Sequence, residues 1–167
     1  MNKTMLRKVP PKQVSTRQPA TALIADDFKS FRSLLSRLLN EDAGLRIIGE
    51  ASDGLAAVQK AFQLRPDLIF LDIGLPKANG LEAARQILST APQSKIIFVT
   101  QENSREIADA AIGLGALGYV TKIRIGSELL QAINAVLQGK QFIGSGLVGG
   151  NLNSAMQPSL VGSSPQG

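Results

Sequence analysis

The sequence predicts an α/β domain, a doubly wound five-stranded parallel sheet over residues 20–140. Two observations carry this. Short apolar runs alternate with amphipathic helical patterns five times along the chain. The runs are also apolar at nearly every position rather than at alternate ones, as in parallel strands covered by helices on both faces.

The elements follow in order. Ala22-Leu23-Ile24-Ala25 is the first strand, ended by Asp26-Asp27. Phe28, Phe31, Leu34, Leu35, Leu38 and Leu39 then recur at helical spacing, and Gly44 stands where that helix stops. Leu45 to Ala51 is the second strand, and Asp53 caps a helix carrying Leu55, Val58, Ala61 and Phe62. Pro66 breaks that helix before a buried strand from Asp67 to Asp72. Leu81 to Leu88 is helical, and Lys95 to Thr100 is the fourth strand. A helix begins at Asn103 or Ser104 and runs through Leu114, and Ala116 to Thr121 is the fifth strand. Ser127 is expected to cap the last helix, which carries Leu129, Leu130, Ile133, Val136 and Leu137 and is followed by Gly139.

Composition narrows the chemistry. Among 167 residues there is no Cys and no His, which excludes disulfides, thiolate zinc sites, imidazole metal sites and His-dependent hydrolase triads. With 4% aromatics and no Trp, a stacking platform for nucleic acid is not expected. No run is long and apolar enough to enter a membrane, and no apolar stretch follows the N-terminal basic residues as in a secretory leader, so the expected location is the cytoplasm. The net charge of +5 is local: Lys3, Arg7, Lys8, Lys12 and Arg17 precede the domain, and the 13 remaining basic residues balance 13 acids.

Residues 1–19, basic and containing Pro10, Pro11 and Pro19, are expected to be a disordered arm, either a solvated leader or a tether to a polyanion. Residues 141–167 carry no charge and are rich in Gly and Ser, which reads as a flexible tail. Phe142, Ile143, Leu147 and Val148 offer local packing near its start.

The strand ends carry the functional clue. In doubly wound sheets the ligand site lies beyond the carboxyl ends of the strands. That rule brings Asp26, Asp27, Asp72, Thr100 and Lys122 to one edge. Three adjacent carboxylates repel one another unless a cation intervenes, and an all-oxygen ligand set suits a hard ion such as Mg²⁺. A lysine and a hydroxyl beside the ion suit a phosphoryl group. No Ser, His or Cys nucleophile is apparent, which leaves an Asp as acceptor through an acyl phosphate. Helix capping is the competing explanation for Asp53 and for one of Asp26 and Asp27. It accounts poorly for Asp72, which a loop containing Pro76 separates from the next helix. Gly113-x-Gly115-x-x-Gly118 matches a dinucleotide-binding string but follows a helix and precedes a strand, so it reads as a turn.

These motifs together resemble the receiver domain of bacterial two-component response regulators, a CheY-like domain. The resemblance rests on Ile24-Ala25-Asp26-Asp27, the stretch from Pro66 to Pro76, Gly80, Val99-Thr100 and Gly115-Ala116-x-Gly118-Tyr119-Val120-x-Lys122. It implies a flavodoxin-like fold with strand order 2-1-3-4-5, and it implies roles. Asp72 would be the phosphoacceptor. Asp27 and Asp72 would bind Mg²⁺ directly, Asp26 mainly through water, and the Gly74 carbonyl would be a further ligand. Lys122 would contact the phosphoryl group. Thr100 would swing toward it while Tyr119 changes rotamer, relaying the event to the surface of the fourth helix, fifth strand and fifth helix. The implied partners are a sensor histidine kinase or phosphotransfer protein, a downstream protein and, on phosphorylation, a second copy of the chain.

Ile123 stands where the family often has Pro after the lysine. Gly-Glu-Ala-Ser-Asp-Gly and Gly-Leu-Glu-Ala-Ala-Arg resemble receivers of the NarL/FixJ subfamily, which usually carry a C-terminal helix-turn-helix. The 27 residues after Lys140 are too few and too polar for one, so DNA binding is not expected from this chain. The alternatives are the front part of a DNA-binding regulator and a receiver-like module that works without phosphate. An Asp-nucleophile phosphatase would want a second Asp two residues after Asp72, where Gly74 stands.

Overall fold

A computed structural model describes residues 17–149. Strands and helices alternate: β1 (Thr21–Ala25), α1 (Lys29–Glu41), β2 (Arg46–Ala51), α2 (Gly54–Leu64), β3 (Leu68–Leu71), α3 (Gly80–Thr90), β4 (Lys95–Thr100), α4 (Arg105–Gly113), β5 (Gly118–Thr121), α5 (Ile125–Leu137) and β6 (Phe142–Ile143). The sheet order is β2-β1-β3-β4-β5-β6, and all pairings are parallel. The flavodoxin-like order expected for five strands is present, but the sheet has six.

The sixth strand is a correction, and it lies in the segment read as tail. Phe142 and Ile143 pair with Gly118 and Tyr119, through Phe142 N–H to the Leu117 carbonyl and Gly144 N–H to the Tyr119 carbonyl, both 2.8 Å. Backbone groups do this work, so a two-residue strand in a Gly- and Ser-rich stretch leaves almost no side-chain pattern. The basic arm through residue 16 and the tail from residue 150 lie outside the described residues.

The sheet splits the core into two layers because successive strand side chains point to opposite faces. Leu23, Ile69, Leu71, Ile96, Phe98 and Tyr119 meet one layer, together with Ala57, Ala61, Ala83, Ala84, Ala108 and Ala111 of α2, α3 and α4. Ala22, Ile24, Phe70, Ile97, Val99 and Val120 meet the other, with residues of α1 and α5. Both faces are covered, which is why the strands are continuously apolar. The helix patterns hold less strictly: Leu35 and Leu39 are buried, whereas Phe28 lies before α1 and is 58% exposed.

Local signals hold in part. Asp53 caps α2, its side chain accepting from Ala56 N–H, and Asn79 and Ser104 cap α3 and α4 in the same way. Ser127 does not cap α5. A single 3-10 turn, Lys122–Arg124, runs directly into that helix, so Ser127 sits inside it and its hydroxyl donates to the Arg124 carbonyl. Gly113 ends α4, Gly118 opens β5, and Gly115, at φ +115°, turns the chain between them.

Two glycines let the loop after β3 lie flat under the site. A Cβ at Gly54 would stand 1.9 Å from the Ala78 carbonyl oxygen, and one at Gly80 would stand 2.1 Å from the Asp72 carbonyl oxygen. Gly54→Ala is therefore expected to cost about 1–3 kcal/mol through forced backbone displacement. Urea unfolding should show a lower midpoint with unchanged slope.

Candidate functional site

The site is built by strand register. Ala25 pairs with Leu71, Leu71 with Phe98, and Thr100 with Thr121, so the next residues emerge side by side at one edge. Asp26 N–H donates to the Ala51 carbonyl and Asp72 N–H to the Ala25 carbonyl, which extends the ladder by one residue on each strand. All five residues expected at this edge come together there.

Asp26 and Asp72 are buried, Asp27 is exposed, and one carboxylate oxygen from each lies within 4.8 Å of the others. The Lys122 ammonium stands 2.6 Å from Asp26 Oδ2 and 3.3 Å from Asp72 Oδ2. Its position is further set by two rings that the sequence reading counted only as a helix face. The ammonium lies 4.3 Å from the Phe31 centroid and 5.8 Å from that of Phe28, a cation–π arrangement. Asp26 also organises the start of α1: its Oδ1 accepts from Phe28 N–H and its carbonyl accepts from Arg32 Nη1. A cavity of about 250 Å³ opens over the site, lined by Asp27, Phe28, Asp72, Gly74, Thr100, Glu102 and Lys122 among others.

Thr100 is buried, and its Oγ1 accepts from Glu102 N–H at 3.3 Å. Tyr119 is fully buried, and its hydroxyl donates to the Glu102 carbonyl at 2.8 Å. Glu102 thus joins Thr100 to Tyr119 through its backbone. Burial raises the Tyr119 hydroxyl far above its ordinary range, with the nearby Glu102 and Asp72 charges acting in the same direction, so the ring stays a hydrogen-bond donor.

The residues fit a hard cation. Three carboxylates converge, every available ligand atom is oxygen, and Asp26 Oδ2 already faces a cation, the Lys122 ammonium at 2.6 Å. Gly74 N–H reaches toward Asp72 Oδ1 at 3.4 Å, which places the Gly74 backbone beside the Asp72 carboxylate.

A sheet-edge cluster of three carboxylates, one lysine and one hydroxyl defines a receiver site. The family is shown directly: residues 22–134 match the response regulator receiver domain, and the chain belongs to that family. It is 43% identical over 117 residues to a putative transcriptional regulator of Pseudomonas aeruginosa, covering 70% of this chain and 56% of that protein. It is 31% identical to the nitrate/nitrite response regulator protein NarL of Escherichia coli, covering 80% of this chain and 62% of the relative. The chain thus spans little more than half the length of these relatives. Protein CcdB of Bacillus subtilis differs in this respect: the match, 37% identical, covers 69% of this chain and 95% of that protein. Among solved structures, a LuxR-family two-component response regulator from Aurantimonas sp. superposes with a TM-score of 0.71 at 32% identity, covering 75% of this chain and 89% of that one.

Burial raises the Asp26 carboxyl above its ordinary value of 3.8, and the Asp72 charge adds to this against the opposing pull of Lys122 and the Phe28 N–H. Folding therefore holds this proton more tightly than the unfolded chain does. Its contribution to stability is complete below 3.8 and is lost as pH rises through the raised value. In EDTA, chemical unfolding should show a fall in stability across that window, and Asp26→Asn should flatten it.

Proposed function

We propose that the chain is a phosphorylation-activated signalling switch in which Asp72 accepts a phosphoryl group from a partner histidine kinase or phosphotransfer protein. The observation that carries this is the convergence of the Asp26, Asp27 and Asp72 carboxylates, the first and last of them paired with the Lys122 ammonium, beneath an open cavity. An Asp72 carboxylate oxygen attacks phosphorus, the bond to the donor's nitrogen or oxygen breaks, and an acyl phosphate results. Asp26, Asp27, Asp72 and the Gly74 carbonyl would hold Mg²⁺, which when bound neutralises charge on the transferred group. Lys122 neutralises the phosphoryl oxygens from the other side and leaves its pairing with Asp72 to do so.

The output follows from the added charge and acceptor oxygens. Thr100 donates its hydroxyl to a phosphoryl oxygen, and Tyr119 holds its buried position through Glu102. The event reaches the surface of α4, β5 and α5 together with the segment after β6 that lies along it, where a downstream protein or a second copy binds. The chain acts as a phosphoacceptor rather than an enzyme, resetting by water attack on the acyl phosphate. Its site of action is the cytoplasm, where kinases and Mg²⁺ are available. No described helix is long and apolar enough to cross a membrane. A second reading, the receiver part of a DNA-binding regulator, is favoured by a relative described as a transcriptional regulator, of which the match covers 56%.

Intact mass after incubation with acetyl phosphate tests the switch. The expected result is one phosphate adduct that requires Mg²⁺ and disappears in Asp72→Ala and in the presence of EDTA. An adduct that persists in Asp72→Ala would refute the assignment, and no adduct in wild type would favour the phosphate-independent module.

A further inference from the structure

The segment after β6 does not leave the domain. It crosses the face formed by α4, β5 and α5, held at Gly144, Ser145, Leu147 and Val148. Gly144 N–H donates to the Tyr119 carbonyl. Gly144 also lacks room for a side chain, since a Cβ would stand 2.3 Å from Glu128 Oε2. Ser145 donates from both its N–H, at 3.0 Å, and its hydroxyl to Glu128 Oε1. At Gly146, φ +79°, a Cβ would stand 3.2 Å from Arg124 Nε. Leu147 packs on the core layer that contains Tyr119. Val148 N–H donates to the Asn103 carbonyl, and Arg105 N–H donates to the Val148 carbonyl, making a parallel bridge to the start of α4.

Glu128 is the unusual member. It is a buried carboxylate in the first turn of α5, far from the acidic site in role, and the phosphorylation chemistry has no use for it. Its only hydrogen-bonding partner among the described residues is Ser145. Ser145 satisfies Oε1 while Oε2 is buried without a partner among the described residues, so the Ser145 bonds are what offsets the desolvation of this carboxylate when the segment closes.

We propose that Glu128 and residues Gly144–Val148 form a clasp that positions the loop between β4 and α4, holding Glu102 where it keeps Tyr119 buried. The connection is short. The clasp bonds Asn103 and Arg105, the preceding residue Glu102 takes the Tyr119 hydroxyl on its carbonyl, and Glu102 N–H donates to Thr100. Clasp closure and the buried Tyr119 occur together in this structure. Closure therefore lowers the free energy of that arrangement relative to one with the ring out. This deepens the switch reading and rests on it in one respect: if phosphorylation favours the buried ring, the clasp favours phosphorylation, by reciprocity of coupling.

The chain has one Tyr and no Trp, so its intrinsic emission reports Tyr119 alone. Acrylamide quenching of that emission is measured on the unphosphorylated full chain, as wild type, Glu128→Leu, Glu128→Gln and Gly144→Val. Glu128→Leu removes the acceptor, and Gly144→Val forces the segment off Glu128 should the first variant fold poorly. Quenching is expected to rise roughly threefold in both as the ring-out population grows. In Glu128→Gln, which keeps an acceptor oxygen for Ser145, quenching should stay near wild type. Thermal melts identify variants that have unfolded, and acetyl phosphate labelling of the folded ones should slow by about fivefold or more. Unchanged quenching in folded Glu128→Leu or Gly144→Val overturns the clasp. So does equal loss in Glu128→Gln. Absence of labelling in every protein, with the quenching differences intact, sinks the phosphorylation reading and leaves the clasp standing.

Discussion

One ammonium holds the functional edge of this domain together. Parallel strands that end in register deliver Asp26 and Asp72 to neighbouring buried positions, where their charges repel and neither is well solvated. Lys122 reaches both. Breaking a buried pair of this kind leaves a carboxylate uncompensated, at a cost of about 3–5 kcal/mol. The lysine is itself constrained, with its ammonium against Phe31 and its backbone in the 3-10 turn that joins β5 to α5. The contacts that keep the acidic cluster tolerable thus all converge on one side chain.

Around that point the structure is stiff in some places and linked in others. The loop after β3 is pinned by close backbone approaches at Gly54 and Gly80, so Asp72 is presented from a fixed platform. Beside the site, hydrogen bonds join Thr100, Glu102 and Tyr119, and Asn103, next to Glu102 in the chain, bonds Val148 beyond β6. A fixed carboxylate beside a path of discrete bonds fits the proposed two-state switch, because rearranging one bond changes what its neighbour can make.

The strands and most of the helices were legible because their information is carried by side chains. A strand buried on both faces is apolar throughout, and Asp53, Ser104 and Gly139 mark ends by chemistry that acts within a few residues. The site was legible for a related reason: the strand-end rule turns five separated residues into one cluster. Three features were not legible. Ser127 has the chemistry of a cap, but the 3-10 turn after Lys122 moves the helix start ahead of it. Strand β6 is specified by backbone pairing at a sheet edge. Glu128 looks like any acid on a helix until Ser145, seventeen residues later, is brought against it.

The sequence alone determined the parallel α/β architecture, the residues at the sheet edge and their all-oxygen chemistry, because apolar patterning and residue type are local properties that survive without coordinates. Only the tertiary structure decided how that edge is balanced and what lies across the opposite face. Which carboxylates share the ammonium, that Tyr119 is buried with its hydroxyl on Glu102, and that an uncharged segment closes over β5 all depend on distances between residues far apart in the chain. Those distances are set by packing the two core layers against the sheet, and no window of neighbouring residues contains them.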